Sequence, residues 1–302
     1  MKVEKTEYHG WKNNVKLSND HVELIVTLDV GPRIISYRAL HGKNVFHNFP
    51  ESIGKSGETE WQNRGGHRIW IAPEGMDISY ALDNAPVSKY ELTKNGVRVE
   101  NDPVAPWGIR KEMTVSLAED SSEVTVRHRL INEKKEPVEI ASWGLSVMAA
   151  GGLEIIPLPP LGEHPQSLLP NRVIIPWPYT DMSDPRWRFG WKYITLRQTS
   201  DGVPAKIGLS HKEKWVAYYN ADSLFVKEVE YIEGATYTDL GSNFETFNCS
   251  EMLEIETLGP LRKLAPGQST EHTEKWRLLG DVPQPASLQE EDLAKWLEPL
   301  LA

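Results

Sequence analysis

Two acidic residues near the C-terminus have a spacing that suits acid/base chemistry. Glu254 and Glu256 are separated by one apolar residue in the segment LEIETL. Because side chains alternate along a β-strand, this spacing puts both carboxylates on one face, with Leu253, Ile255 and Thr257 on the other. If the apolar face is buried, the two acids point to a surface or a cleft. Paired carboxylates there suit proton transfer to and from hydroxyl-bearing substrates.

A second group of candidate residues surrounds a Gly-Gly pair in the segment WQNRGGHRIWIAPE. Its side chains of types common in binding sites are Arg64, His67, Arg68, Trp70 and Glu74. Glycines let a backbone come close to a ligand, and arginine presents a planar fork suited to carboxylate or phosphate. The same segment is also compatible with a β-bulge that carries surface charges, and His67 with either a structural or a catalytic role.

Tryptophans form a third set of candidates, because an aromatic face packs well against the apolar face of a pyranose. Trp187 lies in the Pro-rich segment Ile175–Trp191, where no strand pattern is visible and a long ordered loop is predicted. Long loops in compact domains are often functional. Trp107 and Arg110, in the segment that begins at Pro106, are a further candidate pair. For any single one of these rings, the structural interpretation, in which the ring closes the end of the sandwich, is favoured.

Composition narrows the function classes. The chain has 302 residues, a net charge of −10 and no run rich in lysine or arginine, which argues against nucleic acid or anionic membranes as partners. The single cysteine, Cys249, excludes an intrachain disulfide, and the scattered histidines favour neither a metal site nor a cofactor. The N-terminus shows no apolar run after its basic residues, so a cytoplasmic protein is predicted.

The chain reads as many short strands separated by turn signals. A hairpin is predicted at Asn95-Gly96, a dipeptide that favours tight turns between strands. A helical pattern is clear only in Ser287–Leu301, where Ser287 and Glu290 form a capping-box pattern. These features predict an all-β antiparallel sandwich over residues 1–280, followed by a helical extension over 281–302. The helix is expected to pack on the sandwich, with a dimer contact as the alternative.

Several short motifs resemble the galactose mutarotase-like superfamily, which includes aldose 1-epimerases and hexose-6-phosphate 1-epimerases. The motifs are Gly31-Pro32-Arg33-Ile34, Gly42-Lys43-Asn44, Arg64-Gly65-Gly66 followed by Pro73, Ile255-Glu256-Thr257, Leu264-Ala265-Pro266-Gly267, and His272-Thr273 through Trp276. The resemblance implies a two-sheet super-sandwich that binds sugar on a concave sheet face. It also implies that Glu256 is the catalytic base.

The chain departs from the aldose 1-epimerase pattern at both histidines. Trp143 stands where the mid-chain histidine of an Asn-His-x-Tyr-Phe segment is expected, and Arg64 stands where the other histidine precedes the Gly-Gly pair. His67 follows that pair instead, and the resemblance therefore suggests His67 as the acid. Glu254 is an alternative base or a substrate ligand.

The predicted function is a cofactor-independent sugar 1-epimerase with Glu256 as base and His67 as acid. Arg64, Arg68, Trp70, Glu74, Trp107, Arg110, Trp143, Trp187 and Glu254 are the predicted substrate-binding residues. The expected ligand is a small sugar, or a sugar acid or phosphate selected by the arginines, and the expected assembly is a monomer or homodimer. The alternatives are a non-catalytic sugar-binding protein on the same fold and a polysaccharide lyase or glycoside hydrolase. A hydrolase requires two carboxylates that face each other across a glycosidic bond, which neighbours on one strand do not provide.

Overall fold

The computed structural model describes residues 1–103 and 107–301, and in them the chain folds into 21 strands and one helix. In chain order the elements are β1 (Lys2–Tyr8), β2 (Trp11–Ser18), β3 (Val22–Thr27), β4 (Arg33–Ala39), β5 (Gly66–Ala72), β6 (Lys89–Thr93), β7 (Gly96–Glu100), β8 (Ile109–Leu117), β9 (Val124–Asn132), β10 (Val138–Met148), β11 (Leu153–Pro157), β12 (Ile174–Pro176), β13 (Trp187–Phe189), β14 (Tyr193–Arg197), β15 (Ala205–Leu209), β16 (Trp215–Asn220), β17 (Ser223–Val229), β18 (Phe244–Asn248), β19 (Leu253–Leu258), β20 (Arg262–Leu264), β21 (Ser269–Leu279) and α1 (Glu290–Leu301).

The strands form two antiparallel sheets that pack face to face. The first, an 11-stranded sheet, has the order β1-β2-β3-β4-β5-β10-β19-β18-β15-β12, with β20 paired to β10. The second has 10 strands in the order β13-β14-β11-β16-β17-β21-β9-β8-β7-β6. The apolar side chains of their inner faces form one large core, as expected for a sandwich. The predicted all-β antiparallel architecture is confirmed.

The C-terminal helix packs on the outer face of the second sheet. Leu293 and Leu297 are buried against side chains of β11, β16 and β17. The helix begins at Glu290 and not at Ser287, so the predicted start is wrong. The predicted capping box is also wrong, because the Glu290 carboxylate accepts hydrogen bonds from the backbone amides of Lys192 (2.8 Å) and Tyr193 (3.1 Å) instead. α1 is too short to be a bilayer-spanning helix, and the described residues contain no other candidate for one.

Two parts of the sandwich lack a clear strand pattern in the sequence. The segment 175–191, predicted to be one long loop, contains residues of two three-residue edge strands, β12 and β13. Strands of three residues in a proline-rich segment carry too few alternating positions to be recognised. β5 was not recognised as a strand either, because all seven of its residues are buried and it shows no alternation of apolar and polar side chains.

The Gly-Gly pair at the start of β5 is required by the backbone conformation and by close contacts with neighbouring backbone. Gly65 and Gly66 have φ values of +78° and +70°, a region that residues with a Cβ avoid. A Cβ on Gly65 would lie 2.0 Å from the His47 carbonyl oxygen, and one on Gly66 would lie 2.3 Å from that of Ile34. The close approach predicted for a ligand is therefore made to neighbouring backbone.

Candidate functional site

A pocket on the outer face of the first sheet is lined by the two glutamates of β19 and by several aromatic residues. It has a volume of about 250 Å³. Its lining residues are Trp61, Asn63, Arg68, Trp70, Glu74, Tyr80, Trp143, Leu145, Tyr179, Lys206, Phe247, Met252, Glu254 and Glu256. The floor comes from β5, β10, β19, β18 and β15, and the remaining side chains come from the connecting segments.

Cross-strand register explains why the floor residues meet. In antiparallel pairs, residues directly opposite each other point to the same face of the sheet. One such row is Arg68–Leu145–Glu256–Glu245, across β5, β10, β19 and β18. The next row is Val147–Glu254–Phe247–Lys206, and the row on the other side is Trp70–Trp143–Leu258. The pocket therefore rests on three adjacent rows of one sheet face.

The alternation predicted for β19 is confirmed. Glu254 and Glu256 line the pocket, whereas Leu253 and Ile255 lie in the core between the sheets. Thr257 also points inward, where its hydroxyl contacts His272 at 2.7 Å. The strand thus carries its two acids on the pocket side, although both are themselves largely buried.

Glu256 shares a buried ammonium group with a second glutamate. The Lys206 Nζ atom lies 2.8 Å from Glu256 Oε2 and 2.7 Å from Glu245 Oε2. Burial raises the pKa of Glu256 to about 7, although Lys206 opposes the shift. Burial likewise raises the pKa of Glu245 to about 8 against the same cation. Burial alone would lower the pKa of Lys206, but the two carboxylates reverse that effect and raise it.

This triad has chemical consequences at neutral pH. With both glutamates ionised the triad carries one excess negative charge, and because burial raises the pKa of both carboxyl groups the triad takes up a proton as the pH falls toward neutrality. A carboxylate with a pKa near the working pH is well matched to general base catalysis. Within the described residues no protein group hydrogen-bonds to Glu256 Oε1. That oxygen is buried, and it is the one whose hydrogen-bonding capacity the protein leaves unused.

A second ion pair lies beside the first. Arg68 Nη1 lies 2.9 Å from Glu254 Oε1, but the two groups are not aligned as a hydrogen bond. The guanidinium stacks over Trp70, 4.4 Å from the ring centroid, and lies 5.6 Å from that of Trp61. Arg68 is thus fixed between a carboxylate and two indole rings.

Aromatic rings form the walls of the pocket. Trp70 contacts Trp143 at 5.5 Å, Tyr80 at 4.8 Å and Trp61 at 5.3 Å between ring centroids. Lys206 Nζ lies 4.7 Å from the Trp143 ring. Flat apolar surfaces beside hydrogen-bonding groups suit a ring that has an apolar face and a hydroxylated edge.

His67 does not reach this pocket, so its predicted pairing with Glu256 is wrong. It follows Gly66 on β5 and points to the opposite face from Arg68, into the space between the sheets. There its Nδ1 lies 2.9 Å from the Ser146 hydroxyl and its Nε2 lies 2.7 Å from His128 Nε2. Burial holds the pKa of His67 well below its ordinary value.

The inner face instead carries a buried ion-pair cluster. Lys227 Nζ lies 3.2 Å from Glu274, whose carboxylate also accepts a hydrogen bond from Trp276 Nε1 at 2.7 Å. Burial would raise the pKa of Glu274, but Lys227 and the surrounding histidines hold it far below its ordinary range. Ligand atoms of His67, His128 and Glu274 lie within 4.8 Å of one another, a spacing compatible with a metal ion. Lys227 already supplies the positive charge there.

Four other predicted ligand residues lie outside the pocket. Arg64 is fully buried elsewhere, where it pairs with Glu58 and donates to Asn84 Oδ1 at 3.0 Å. Trp187 belongs to β13 of the second sheet and packs in the core between the sheets. Neither Arg64 nor Trp187 lines the pocket, so neither is placed to contact a ligand there as predicted.

Trp107 and Arg110 are also remote from the pocket. Arg110 lies on β8 of the second sheet, where it pairs with Glu133 and lies 3.7 Å from Glu100. Trp107 is partly buried at the end of the chain segment that precedes β8, and it does not line the pocket. Pro106, the start of that predicted motif, lies outside the described residues.

The prediction missed Lys206 and Glu245, which complete the charged triad. Lys206 is the only charged residue of the strand AKIGL, and Glu245 the only one of FETFN. A lone charge in a buried strand is a usable signal, because burying a charge is costly unless it is paired. Tyr80 and Tyr179 were missed because they lie in segments without regular pattern.

Larger grooves occur elsewhere on the surface. One of about 530 Å³ lies on the outer face of the second sheet beside the end of α1. Its charges include the exposed pair Arg277–Glu228 at 3.3 Å, and its walls lack an aromatic cluster. The smaller pocket is the better candidate, because it combines buried titratable groups with convergent aromatic rings.

Comparisons with solved structures identify the fold. The chain resembles a galactose mutarotase-like protein from Lactobacillus casei, with a TM-score of 0.59 and 12% identity over 88% of this chain and 100% of that one. It also resembles a candidate aldose 1-epimerase from Klebsiella pneumoniae, with a TM-score of 0.59 and 11% identity over 99% and 86% of the two chains. A TPR-domain containing protein from Parabacteroides distasonis gives a TM-score of 0.60 at 16% identity, over 90% of this chain but only 47% of that protein.

These likenesses confirm the predicted galactose mutarotase-like super-sandwich. No protein-family model and no curated protein matches the sequence. At identities this low, the shared property is the fold, and function has to be argued from the site.

Proposed function

We propose that this protein is a sugar 1-epimerase in which Glu256 is the catalytic base. The observation that carries the proposal is the environment of Glu256 on the floor of an aromatic-walled pocket, with a pKa of about 7 and one carboxylate oxygen free of protein partners. Mutarotation needs a base for the anomeric hydroxyl and an acid for the ring oxygen. Both steps are proton transfers, so amino-acid side chains suffice.

The charges of the pocket favour a neutral sugar over a sugar acid or phosphate. Arg64 lies outside the pocket, where Glu58 engages it, and within the pocket Arg68 faces Glu254 and Lys206 lies between two glutamates. Each of these cations is already paired with a carboxylate, and an anionic ligand would be repelled by those carboxylates. The arginines therefore give weaker support to an anionic ligand than the sequence suggested.

A non-catalytic sugar-binding protein is the second candidate. Two observations favour it: Trp143 lines the pocket where the resemblance called for a histidine, and His67 points into the core. A lyase or hydrolase has less support, because Glu254 and Glu256 lie side by side on one strand.

The test is the rate of exchange between α and β anomers, measured by NMR saturation transfer on neutral hexoses, hexose phosphates and uronates. Wild type is compared with Glu256→Gln and with Glu233→Gln, a control at an exposed surface pair. We expect acceleration by wild type and by the control, and its loss in Glu256→Gln. Line broadening of a sugar without faster exchange would favour the binding protein. No effect on any sugar would refute both.

A further inference from the structure

Lys206 is in contact with the proposed base on the pocket side of the sheet. Its Nζ lies 2.8 Å from Glu256 Oε2, and its side chain lines the pocket. The ammonium is also held between the rings of Trp143 and Trp177, at 4.7 and 4.9 Å from their centroids. Contacts on several sides fix it in one position, as a catalytic group requires.

The other polar groups of the pocket are less well placed to give a proton to the substrate. Arg68 does not give up a proton in proteins, and it is turned toward Glu254. Tyr80 donates its hydroxyl to Glu74 at 2.8 Å. Tyr179 is half exposed and lies in the irregular segment between β12 and β13. No histidine lines the pocket in the described part of the chain.

We infer that Lys206 is the catalytic acid of this site and that it works as an adjacent pair with Glu256. This inference rests on the proposed epimerase function. Glu256 Oε1 removes the proton from the anomeric hydroxyl while Lys206 Nζ gives a proton to the ring oxygen. The bond between the anomeric carbon and the ring oxygen breaks, and the anomeric carbonyl forms.

The proton balance closes within the pair. After ring opening, the Glu256 carboxyl group rotates so that its protonated oxygen takes the position of Oε2, 2.8 Å from Nζ, and the proton passes to the Lys206 amine. The net change is the movement of one proton from the anomeric oxygen to the ring oxygen, without oxidation or reduction. Ring closure on the other face of the carbonyl runs the same steps in reverse.

Glu245 has a supporting role in this scheme. When both glutamates are ionised they hold the ammonium between them, which makes Lys206 a weak acid before substrate reacts. When Glu256 takes the substrate proton, its charge is lost and only Glu245 remains, so the ammonium releases a proton more readily at the moment when it is needed. Glu245 does not line the pocket, and we regard it as a positioning residue.

The substitution Lys206→Arg tests the inference. Arginine keeps the positive charge and the ion pairs but cannot supply a proton. We expect the accelerated anomer exchange to fall by about 10²–10⁴-fold, the usual contribution of a positioned acid or base. Sugar binding, measured by NMR line broadening, should change by only a few-fold. Lys212→Arg, at an exposed ion pair with Glu233, is the matched control and should behave as wild type.

A second variant separates a chemical role from a structural one. In Lys206→Ala, added ethylammonium should restore part of the exchange rate, and a series of small amines should restore it to a degree that follows amine pKa. Retained exchange in Lys206→Arg, or a folded Lys206→Ala that no amine rescues, would overturn the inference while leaving Glu256 as base. If wild type itself accelerates exchange of no sugar, the proposed function fails first, and the inference fails with it.

Discussion

Removing the Lys227 ammonium should destabilise the protein strongly at alkaline pH. Lys227 and Glu274 are fully buried between the sheets, and Nζ lies 3.2 Å from the carboxylate. Lys227→Met keeps the length of the side chain but leaves the Glu274 charge without a cation. Breaking a buried pair in this way costs about 3–5 kcal/mol. An unfolding entropy of about 2.1 cal/mol/K per residue over 302 residues converts this loss to a fall in Tm of about 5–8 °C.

The loss should shrink as the pH falls, because histidines surround the same carboxylate. Burial lowers the pKa of His67, His128 and His272 in the wild type, and Lys227 lowers all three further. Without Lys227, an imidazolium is able to take the place of the ammonium beside Glu274, so the folded-state pKa of one histidine rises. A group whose pKa is higher folded than unfolded stabilises the fold at low pH and loses that effect as the pH rises. The difference from wild type should therefore be smaller at pH 5.5 than at pH 8.

Urea unfolding followed by tryptophan fluorescence at the two pH values measures both effects. Lys212→Met, which removes an exposed lysine, is the control and should cost little at either pH. The double variant Lys227→Met/Glu274→Gln should lose the pH dependence, because no buried anion remains to attract a protonated histidine. A loss below about 1 kcal/mol for Lys227→Met at pH 8 would refute the reasoning, because an unpaired buried carboxylate should destabilise the fold by more than that. An equal loss at both pH values would refute the role of the histidines.

Three further outcomes follow from the site and its supports. Anomer exchange should fall by about tenfold for each pH unit below 7, because the Glu256 carboxylate must be ionised to act as base and its pKa is about 7; a rate that stays flat down to pH 5 would exclude Glu256. Arg64→Met should lower the unfolding free energy by about 2–3 kcal/mol, since it leaves the Glu58 carboxylate and the Ser52 carbonyl without the guanidinium that pairs with them, yet sugar affinity in the folded fraction should persist; a selective loss of affinity, measured by titration, would restore Arg64 as a ligand residue. Gly144→Ala should cost about 1–3 kcal/mol in urea unfolding, because the new Cβ would lie 2.4 Å from Glu274 Oε1; an unchanged midpoint would show that the cluster tolerates displacement.

The sequence predicted the sandwich because most of its strands alternate and end at clear turn signals. The Asn95-Gly96 hairpin appears as β6 and β7, and the alternation of β19 correctly assigned Glu254 and Glu256 to one face. Both predictions depend on residues within a few positions of one another. Local patterns of this kind are carried by the chain itself.

The segment that includes β5 shows where local reading failed. Arg68 and Trp70 reach the pocket, whereas His67 lies on the other face of the same strand. Recognition of β5 as a strand would have separated them, since neighbours on a strand point to opposite sides. Both faces of β5 are covered, one by the core and one by the aromatic cluster, so the polar–apolar alternation that marks a half-buried strand is missing.

The sequence by itself determined the fold class and the acidic face of β19, because strand alternation and turn chemistry act over a few residues. The tertiary structure alone decided what Glu256 does, since its partner Lys206 is 50 positions away in the chain and meets it only through the pairing of β15, β18 and β19. This strand pairing places one ammonium between two carboxylates. Burial of the group then raises the pKa of Glu256 toward neutrality. Short-range sequence patterns reveal neither the pairing of these strands nor the exclusion of water from the charged triad, and the chemistry of the site depends on both.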